Sequence, residues 1–201
     1  MGEAARRRAE IAALKAKNAV WLDSLSPIER TIAVVAQATY DRVVVGMSMT
    51  EACYNLAFFL QEHLRRKHEI QTEVVVGWIN DGQWEGAASH AWLEYHGKKT
   101  DISLHKTSHP DSQPPGDLII IDHVVKRGEC AYTYWKDLPA AAEQVLRCMR
   151  NESQELAGIV AHKDREHAKI HELSKLPDGA NQYFRDAPPQ CSYENLARVV
   201  G

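Results

Sequence analysis

The stretch SHAWLEYHGKKTDIS, residues 89–103, carries the pattern that decides the predicted fold. SHAWLEY and TDISL have the apolar and β-branched residues of short strands, and HGKK between them has the composition of a turn. The first strand starts with His90, and the second contains Asp101. Side chains on neighbouring antiparallel strands contact one another, so this hairpin is predicted to bring the histidine and the acid together.

Further strands are predicted on both sides of the hairpin. TEVVVGWI, from Thr72, is a β-branched run, and the turn-rich loop NDGQWEG joins it to the hairpin. After the hairpin, HKTSHPDSQPPGD is predicted to be a loop, because its prolines and glycine cannot continue a strand ladder. LIIIDHVV is predicted as one strand and CAYTYW as another, with RGE as the turn between them.

Helices are predicted before the sheet. In DSLSPIER, Ser26 is the N-cap and Pro27 the first helical residue, and Glu29 completes a capping box. This helix should end near Gly46, since glycine commonly follows the last helical turn.

A second helix follows at once, in GMSMTEACYNLAFFLQEHLRRKHEI. Ser48 with Glu51 makes one possible capping box, and Thr50 is an alternative N-cap. Both starts place Cys53 in the first turn or just beyond it. The apolar residues that follow have helical spacing, so the helix is expected to pack against a core.

Together these elements predict an α+β fold in which N-terminal helices pack on an antiparallel β-sheet and more helices follow. We expect a charged N-terminal helix over residues 1–24 and a core over 25–137. A helical element over 138–176 should be broken near 150–155. The tail, 177–201, has low predicted helix content and is expected to wrap the surface or be partly disordered.

Composition excludes several functional classes. Hydrophobic residues make up 44% of the chain and charged residues 25%, and the net charge of −3 gives no basic excess for binding nucleic acid. No segment has the length and hydropathy of a membrane span, and no apolar signal-peptide region is visible. The four cysteines form no CxxC pair and no disulfide-rich pattern, which favours a reducing compartment, and we expect a cytoplasmic protein.

Three residues combine into a candidate catalytic triad. The N-terminus of a helix stabilises a thiolate, and a neighbouring imidazolium stabilises it further. Cys53 is therefore the candidate nucleophile. His90 on its strand is the candidate general base and acid, and Asp101 on the next strand would fix its tautomer and orientation. Taken singly, the cysteine reads as a small core residue and the histidine as a structural hydrogen-bond partner. The order of the three residues favours catalysis.

The same segments resemble the transglutaminase-like (papain-like) superfamily of cysteine enzymes. The matching stretches are TEACYNLAFFLQEHL, VVVGWI, SHAWLEYHGKK and TDISL, within about residues 48–104. The resemblance implies a papain/transglutaminase-like core, a cysteine that attacks an acyl carbon, and a histidine and an aspartate that activate it. It also implies an oxyanion donor on a side chain upstream of the cysteine. Gln37 and Tyr40 are the candidates on the preceding helix, and the backbone N–H of Cys53 is another donor.

Two tryptophans are candidates for contact with a substrate. Trp92 shares a strand face with His90 and is expected to cover the site and exclude water. Trp84 lies in the polar loop NDGQWEG, and loops beside a site commonly carry binding residues.

No metal or cofactor is expected. His105 and His109 have a spacing that suits a metal only on a helix, and the prolines around them predict a loop. Three further histidines, His162, His167 and His171, recur at helical intervals and are interpreted as a solvated face. Cys130, Cys148 and Cys191 lack the context of a nucleophile.

These observations support two hypotheses from different classes. The first is a cysteine-dependent acyl-transfer enzyme that acts on peptide or protein amides, as a protease, a deamidase or a transglutaminase-type enzyme. A CoA-dependent N-acetyltransferase with the same triad is a variant of it. The second is a non-catalytic protein-binding or scaffold domain with the same fold, which would use its tryptophan-rich surface and the charged N-terminal helix.

Overall fold

The computed structural model describes residues 3–201, and within the first helix it describes the side chains of residues 6, 9 and 12 onward. This part of the chain holds seven α-helices and six strands, which confirms the predicted α+β class. The helices are α1 Glu3–Ser24, α2 Pro27–Thr39, α3 Cys53–His68, α4 Ala140–Glu152, α5 Gln154–Lys175, α6 Gly179–Arg185 and α7 Tyr193–Val200. The strands are β1 Glu73–Asn80, β2 Ala88–Tyr95, β3 Lys98–Thr100, β4 Leu118–Ile120, β5 His123–Lys126 and β6 Thr133–Trp135.

The first two helices begin where the sequence predicts. α1 is the expected N-terminal helix, of which Met1 and Gly2 lie outside the described residues. Ser26 caps α2, with both hydrogen bonds of the capping box to Glu29 in place and Pro27 as the first residue. Beyond α2 the helix continues as a π-helical segment, Tyr40–Val45. This helix ends at Gly46, as expected.

The start of α3 differs from the prediction in its cap. The helix begins at Cys53, and the residue before it is Ala52, whose side chain cannot accept a hydrogen bond. Ser48 and Thr50 are therefore not N-caps. Glu51 has a φ of 55°, and this left-handed backbone separates the polar residues from the helix start. Cys53 is the first helical residue, in the position expected for the nucleophile.

Four strands form one antiparallel sheet in the order β3-β2-β1-β6. The turn between β2 and β3 has positive φ angles at His96 and Gly97, which is the backbone of a tight two-residue hairpin. Gly77 on β1 is needed for close packing: a Cβ there would lie 2.3 Å from the carbonyl oxygen of Trp135 and 2.7 Å from the ring of Trp92. The strand predicted as TDISL is paired with β2 only as far as Thr100.

The prediction of a single strand in LIIIDHVV is wrong. The segment folds back on itself as the hairpin β4–β5, with positive φ angles at Ile121 and Asp122. Contacts with β3 offset the cost of this backbone for a β-branched residue: Ile121 N–H donates to Thr100 Oγ1 (3.0 Å) and Asp122 N–H donates to the Lys99 carbonyl (2.8 Å). β3 therefore stabilises this turn, and the sequence of the segment itself gives no sign of these contacts.

The C-terminal third is helical throughout. The expected break in the helical element falls at Ser153, which ends α4 and caps α5 through its side chain. The prediction of an extended or partly disordered tail over residues 177–201 is wrong, because this segment contains α6 and α7. Tyr193, Leu196 and Val200 of α7 are buried in the hydrophobic core. Their apolar spacing of three and four residues is that of an amphipathic helix.

The core lies around α3, which packs on β2 on one side and on α2, α6 and α7 on the others. Phe58, Phe59 and Leu60 of α3 are almost completely buried. This packing holds the N-terminus of α3 against the end of the sheet where β2 begins. None of the helices among residues 3–201 combines the length and the apolar character needed to span a membrane.

Candidate active site

Cys53 lies at the N-terminus of α3, partly exposed, on the wall of a cleft of about 560 Å³. The helix has no side-chain cap among the described residues. The first N–H groups of a helix carry partial positive charge and have no partner inside the helix. These free backbone donors therefore lie where they can stabilise negative charge that develops beside the sulfur.

His90 and Asp101 form a buried pair at the floor of the cleft. His90 Nε2 lies 2.7 Å from Asp101 Oδ2, and both side chains are at most 3% exposed. Leu93 of β2 pairs with Thr100 of β3, and Asp101 is the next residue after Thr100. Asp101 therefore lies diagonally across from His90, on the same face of the sheet, and not directly opposite it.

Asp101 is fixed from several directions. Its backbone exchanges two hydrogen bonds with Ile119 (2.8 and 3.0 Å). Its Oδ1 accepts from the N–H (2.9 Å) and the hydroxyl (2.8 Å) of Ser103, and its Oδ2 accepts from the hydroxyl of Tyr134 (2.8 Å). A buried carboxylate needs such donors to stay ionised, so Ser103 and Tyr134 hold both its charge and its orientation. Neither residue was a sequence candidate.

Cys53 and His90 line the same cleft. The Cys53 thiol is one of the groups whose charge and hydrogen bonding act on the pKa of His90. Nε2 of the His90 ring also lies 3.5 Å from the hydroxyl of Ser103. The structure therefore places the three predicted residues near one another, with His90 paired to Asp101 and lining the cleft that Cys53 also lines.

Electrostatics favour a charged His90–Asp101 pair. Burial by itself lowers the pKa of His90, but the charges of Asp101 and Cys53 and the hydrogen bonds to both outweigh it and raise that pKa to about 10. For Asp101, burial raises the pKa, but the charge of His90 and the hydrogen bonds from His90 and Ser103 lower it below its usual value. At neutral pH the imidazolium therefore faces the sulfur of Cys53.

Trp92 lies behind the pair rather than in the cleft. It is 3% exposed, and its ring is 6.4 Å from His90 and 5.3 Å from Tyr134 between centroids. Its indole N–H donates to Glu94 Oε1 (2.9 Å), whose other oxygen accepts from Lys136. Trp92 thus keeps water from one side of the histidine, as expected, but it does not line the cleft in which a substrate would lie.

Trp84 lines the cleft as predicted, with 44% of its surface exposed. Asn80 holds its loop by donating to the carbonyls of Trp84 (2.7 Å) and Gly86 (2.5 Å). The indole lies flat over Gly86, where a Cβ would come within 1.9 Å of the ring. Trp84 is therefore held at the cleft mouth by its own loop.

The candidate oxyanion residues Gln37 and Tyr40 are not at the site. Neither lines the cleft, the amide of Gln37 donates to Asp41 (2.9 Å), and Tyr40 is buried against His105. The helix that carries them packs beside α3 rather than over its N-terminus. The backbone N–H of Cys53 remains as the oxyanion donor that the sequence suggested.

A second polar cluster in the cleft was missed in the sequence. Tyr54 and Ser89, the neighbours of Cys53 and His90, join through their hydroxyls (2.6 Å), and Ser89 Oγ lies 2.5 Å from His167 Nδ1. The His167 ring stacks on Trp78 at 4.4 Å. The interpretation of His167 as part of a solvated face is therefore wrong, because its ring packs on the sheet. Its helical spacing gave no sign of this contact.

The loop histidines do not assemble a metal site. His105 Nδ1 lies 3.0 Å from the carbonyl oxygen of Gly116, and His109 is exposed near Glu51. Within the described residues, no group of three or more histidines, cysteines or acids is placed to hold a metal ion.

Comparison with known proteins gives no family for this chain. No family model, no curated protein and no solved structure matches it. The geometry of the cleft is therefore the basis for a functional proposal.

Proposed function

We propose that this protein is a cysteine-dependent acyl-transfer enzyme that acts on peptide or protein amides through Cys53, His90 and Asp101. The observation that carries the proposal is the buried His90–Asp101 hydrogen bond beside the cleft that Cys53 and His90 line, with the charge of Cys53 acting on the His90 ring. Nucleophile, base and orienting acid within hydrogen-bond reach of one another are the recognised arrangement for such chemistry.

In the proposed first step, the Cys53 thiolate attacks the carbonyl carbon of the amide. The C–N bond breaks, the amine leaves with a proton from the imidazolium of His90, and the acyl group remains on sulfur as a thioester. Negative charge on the carbonyl oxygen is stabilised by the N–H of Cys53 and the positive end of α3.

In the second step, His90 takes a proton from water or from an amine as that nucleophile attacks the thioester. The acyl–sulfur bond breaks and Cys53 returns as a thiolate. Water gives hydrolysis of a peptide bond or deamidation of a carboxamide, and an amine gives transamidation. Asp101 keeps its charge throughout and holds the histidine in one orientation.

The arrangement of elements supports a papain/transglutaminase-like core for residues 25–137. Cysteine on a helix start, histidine on β2 and aspartate beyond β3 follow the order of the superfamily that the sequence resembles. The helix packs against the sheet that carries the other two residues, and that packing brings the triad together.

The test begins with alkylation by iodoacetamide at neutral pH, followed by mapping of the modified residues. We expect Cys53 to react first, ahead of the more exposed Cys148 and of Cys191, and to react much more slowly in His90→Ala. His90→Gln, which keeps more of the side-chain volume, checks that the loss is not due to unfolding.

The second part of the test uses p-nitrophenyl acetate as an acyl donor. We expect a burst of p-nitrophenolate and an acetyl group on Cys53, both absent in Cys53→Ser. Equal alkylation of all cysteines together with no acyl-enzyme would contradict the proposal and favour a non-catalytic binding domain.

A further inference from the structure

The cleft beside Cys53 has one distinctly apolar wall. It is built from α4, α5, β1 and the loop after β1, and its members are Leu146, Met149, Ile159, Val160, Trp78 and Trp84. Ile159 is 50% exposed and Trp84 is 44% exposed. Large apolar side chains left open to water within a concave site are typical of a surface that a ligand covers.

Other residues that line the same cleft are polar or charged, among them Lys163, Asp164 and Glu166 of α5. Ser103, Lys106, Thr107 and Gln113, from the segment after β3, also line it. The Thr107 hydroxyl is buried and has no hydrogen-bond partner in the described chain. A ligand that fits this cleft presents hydrogen-bonding groups to the polar residues and an apolar group to the apolar wall, as a peptide backbone with an apolar side chain does.

The apolar wall is held in place relative to the nucleophile. His167 fastens α5 to the sheet through Ser89 and the ring of Trp78. Ser89 precedes His90, and the Tyr54 hydroxyl that contacts it belongs to the residue after Cys53. A group bound against α5 therefore lies at a fixed position near the carbonyl that Cys53 would attack.

We propose that this wall binds a bulky apolar side chain on the acyl side of the amide bond, next to the carbonyl carbon attacked by Cys53. The inference rests on the proposed function and adds a substrate class to it: peptides or proteins with an aromatic or large aliphatic residue at that position. Small and acidic residues there are rejected, since they leave the wall uncovered or place a charge against it.

The test uses chloromethyl ketones, which alkylate an active-site thiol with loss of chloride. The N-acetyl-phenylalanyl, N-acetyl-glycyl and N-acetyl-aspartyl reagents differ only in the side chain beside the carbonyl. We expect the phenylalanyl reagent to modify Cys53 at least about tenfold faster than the other two, as an apolar pocket distinguishes a large group from none. Peptide mapping confirms which residue is modified.

Two variants link the preference to the wall. Ile159→Asp places a charge at an exposed position, so we expect the protein to fold. In this variant the three reagents should modify Cys53 at comparable rates. Trp84→Ala should reduce the preference in the same direction. Val34→Asp is the matched control, because Val34 is a more exposed aliphatic residue, 61%, on α2 and outside the cleft.

The outcomes separate this inference from the proposed function. Plain iodoacetamide reports the reactivity of Cys53 whatever the wall binds. Selective alkylation by iodoacetamide with equal rates for the three chloromethyl ketones overturns the apolar subsite and leaves the enzyme proposal standing. A preference that persists in Ile159→Asp and Trp84→Ala also overturns it. Failure of iodoacetamide to select Cys53 counts against the proposed function itself.

Discussion

The Nε2 atom of His90 lies 2.7 Å from Oδ2 of Asp101, and both side chains are almost completely withdrawn from water. A buried ion pair is a poor source of stability, because the cost of removing two charges from water consumes most of their attraction. Here the carboxylate also accepts hydrogen bonds from Ser103 and Tyr134, so its position is strongly determined. Such an arrangement is suited to orienting an imidazole toward Cys53.

Asp101→Asn tests this orienting role. The variant removes the charge beside His90 and should destabilise the protein by about 3 to 5 kcal/mol, as expected when one partner of a buried pair is lost. Alkylation of Cys53 at neutral pH should slow at least about tenfold, since the imidazolium loses its counter-charge. Urea unfolding and iodoacetamide kinetics measure the two effects.

Asp111→Asn is the control for this variant, because Asp111 is exposed in the loop after His109. It should change neither stability nor reactivity. An Asp101→Asn protein that folds and alkylates like the unmodified chain would mean that the acid does not position the histidine.

The pH dependence of stability should carry the signature of His90. Its pKa is raised from 6.5 to about 10: burial opposes the rise, and the charges of Asp101 and Cys53 outweigh it. A raised pKa gives a contribution that is complete below pH 6.5 and declines as the pH rises toward about 10. The lowered pKa of Asp101 gives a contribution that is present above its usual value of 3.8 and declines as the pH falls below it.

Urea unfolding between about pH 5.5 and about pH 10 measures this contribution. The free energy of unfolding should fall more steeply above pH 6.5 in the unmodified chain than in His90→Gln, which does not titrate. Parallel curves for the two proteins would show that folding does not raise the pKa of His90.

Tyr134→Phe isolates one hydrogen bond to the Asp101 carboxylate. The change removes the 2.8 Å bond to Asp101 Oδ2 and keeps the ring, over which Lys99 Nζ lies at 3.4 Å. Loss of a bond to a charged group should cost about 1.5 to 3 kcal/mol. Cys53 alkylation should also slow, because Asp101 loses one of the contacts that fix it.

Tyr40→Phe serves as the comparison, since Tyr40 is buried beside the core and outside the cleft. Its effect on Cys53 alkylation should be negligible. A slower reaction in Tyr40→Phe than in Tyr134→Phe would contradict the placement of the site.

Local patterns were sufficient to select the candidate triad but not its surroundings. Cys53, His90 and Asp101 could be found because each lies at a position that local rules recognise: a helix start, a strand start and the strand after a tight turn. The register between β2 and β3 then places His90 and Asp101 close together, since alternate residues on a strand share a face.

The residues that complete the site come from distant segments. Tyr134 reaches Asp101 from 33 positions away, and His167 reaches Ser89 from 78 positions away. No local periodicity encodes such contacts. The same reason explains the error in LIIIDHVV, where bonds from β3 stabilise a turn within an apolar run that locally favours one strand.

His167→Ala tests the attachment of α5 to the cleft. The ring donates to or accepts from Ser89 and stacks on Trp78, so its loss should cost about 1 to 2 kcal/mol of stability. Burial lowers the pKa of His167, and the positive charge of His171 lowers it further. This contribution is complete above pH 6.5 and declines as the pH falls below it, opposite in sign to that of His90.

Urea unfolding at pH 7.5 and 5.5, about two pH units apart, therefore distinguishes His167 from a residue on the surface. The difference between the unmodified chain and His167→Ala should shrink at the lower pH, where the folded state must accommodate a proton on the ring. His162→Ala, at an exposed position of the same helix, should match the unmodified chain at both values. An equal loss of stability at the two pH values would mean that the pKa of His167 is the same in the folded and the unfolded state, which would contradict its burial against the sheet.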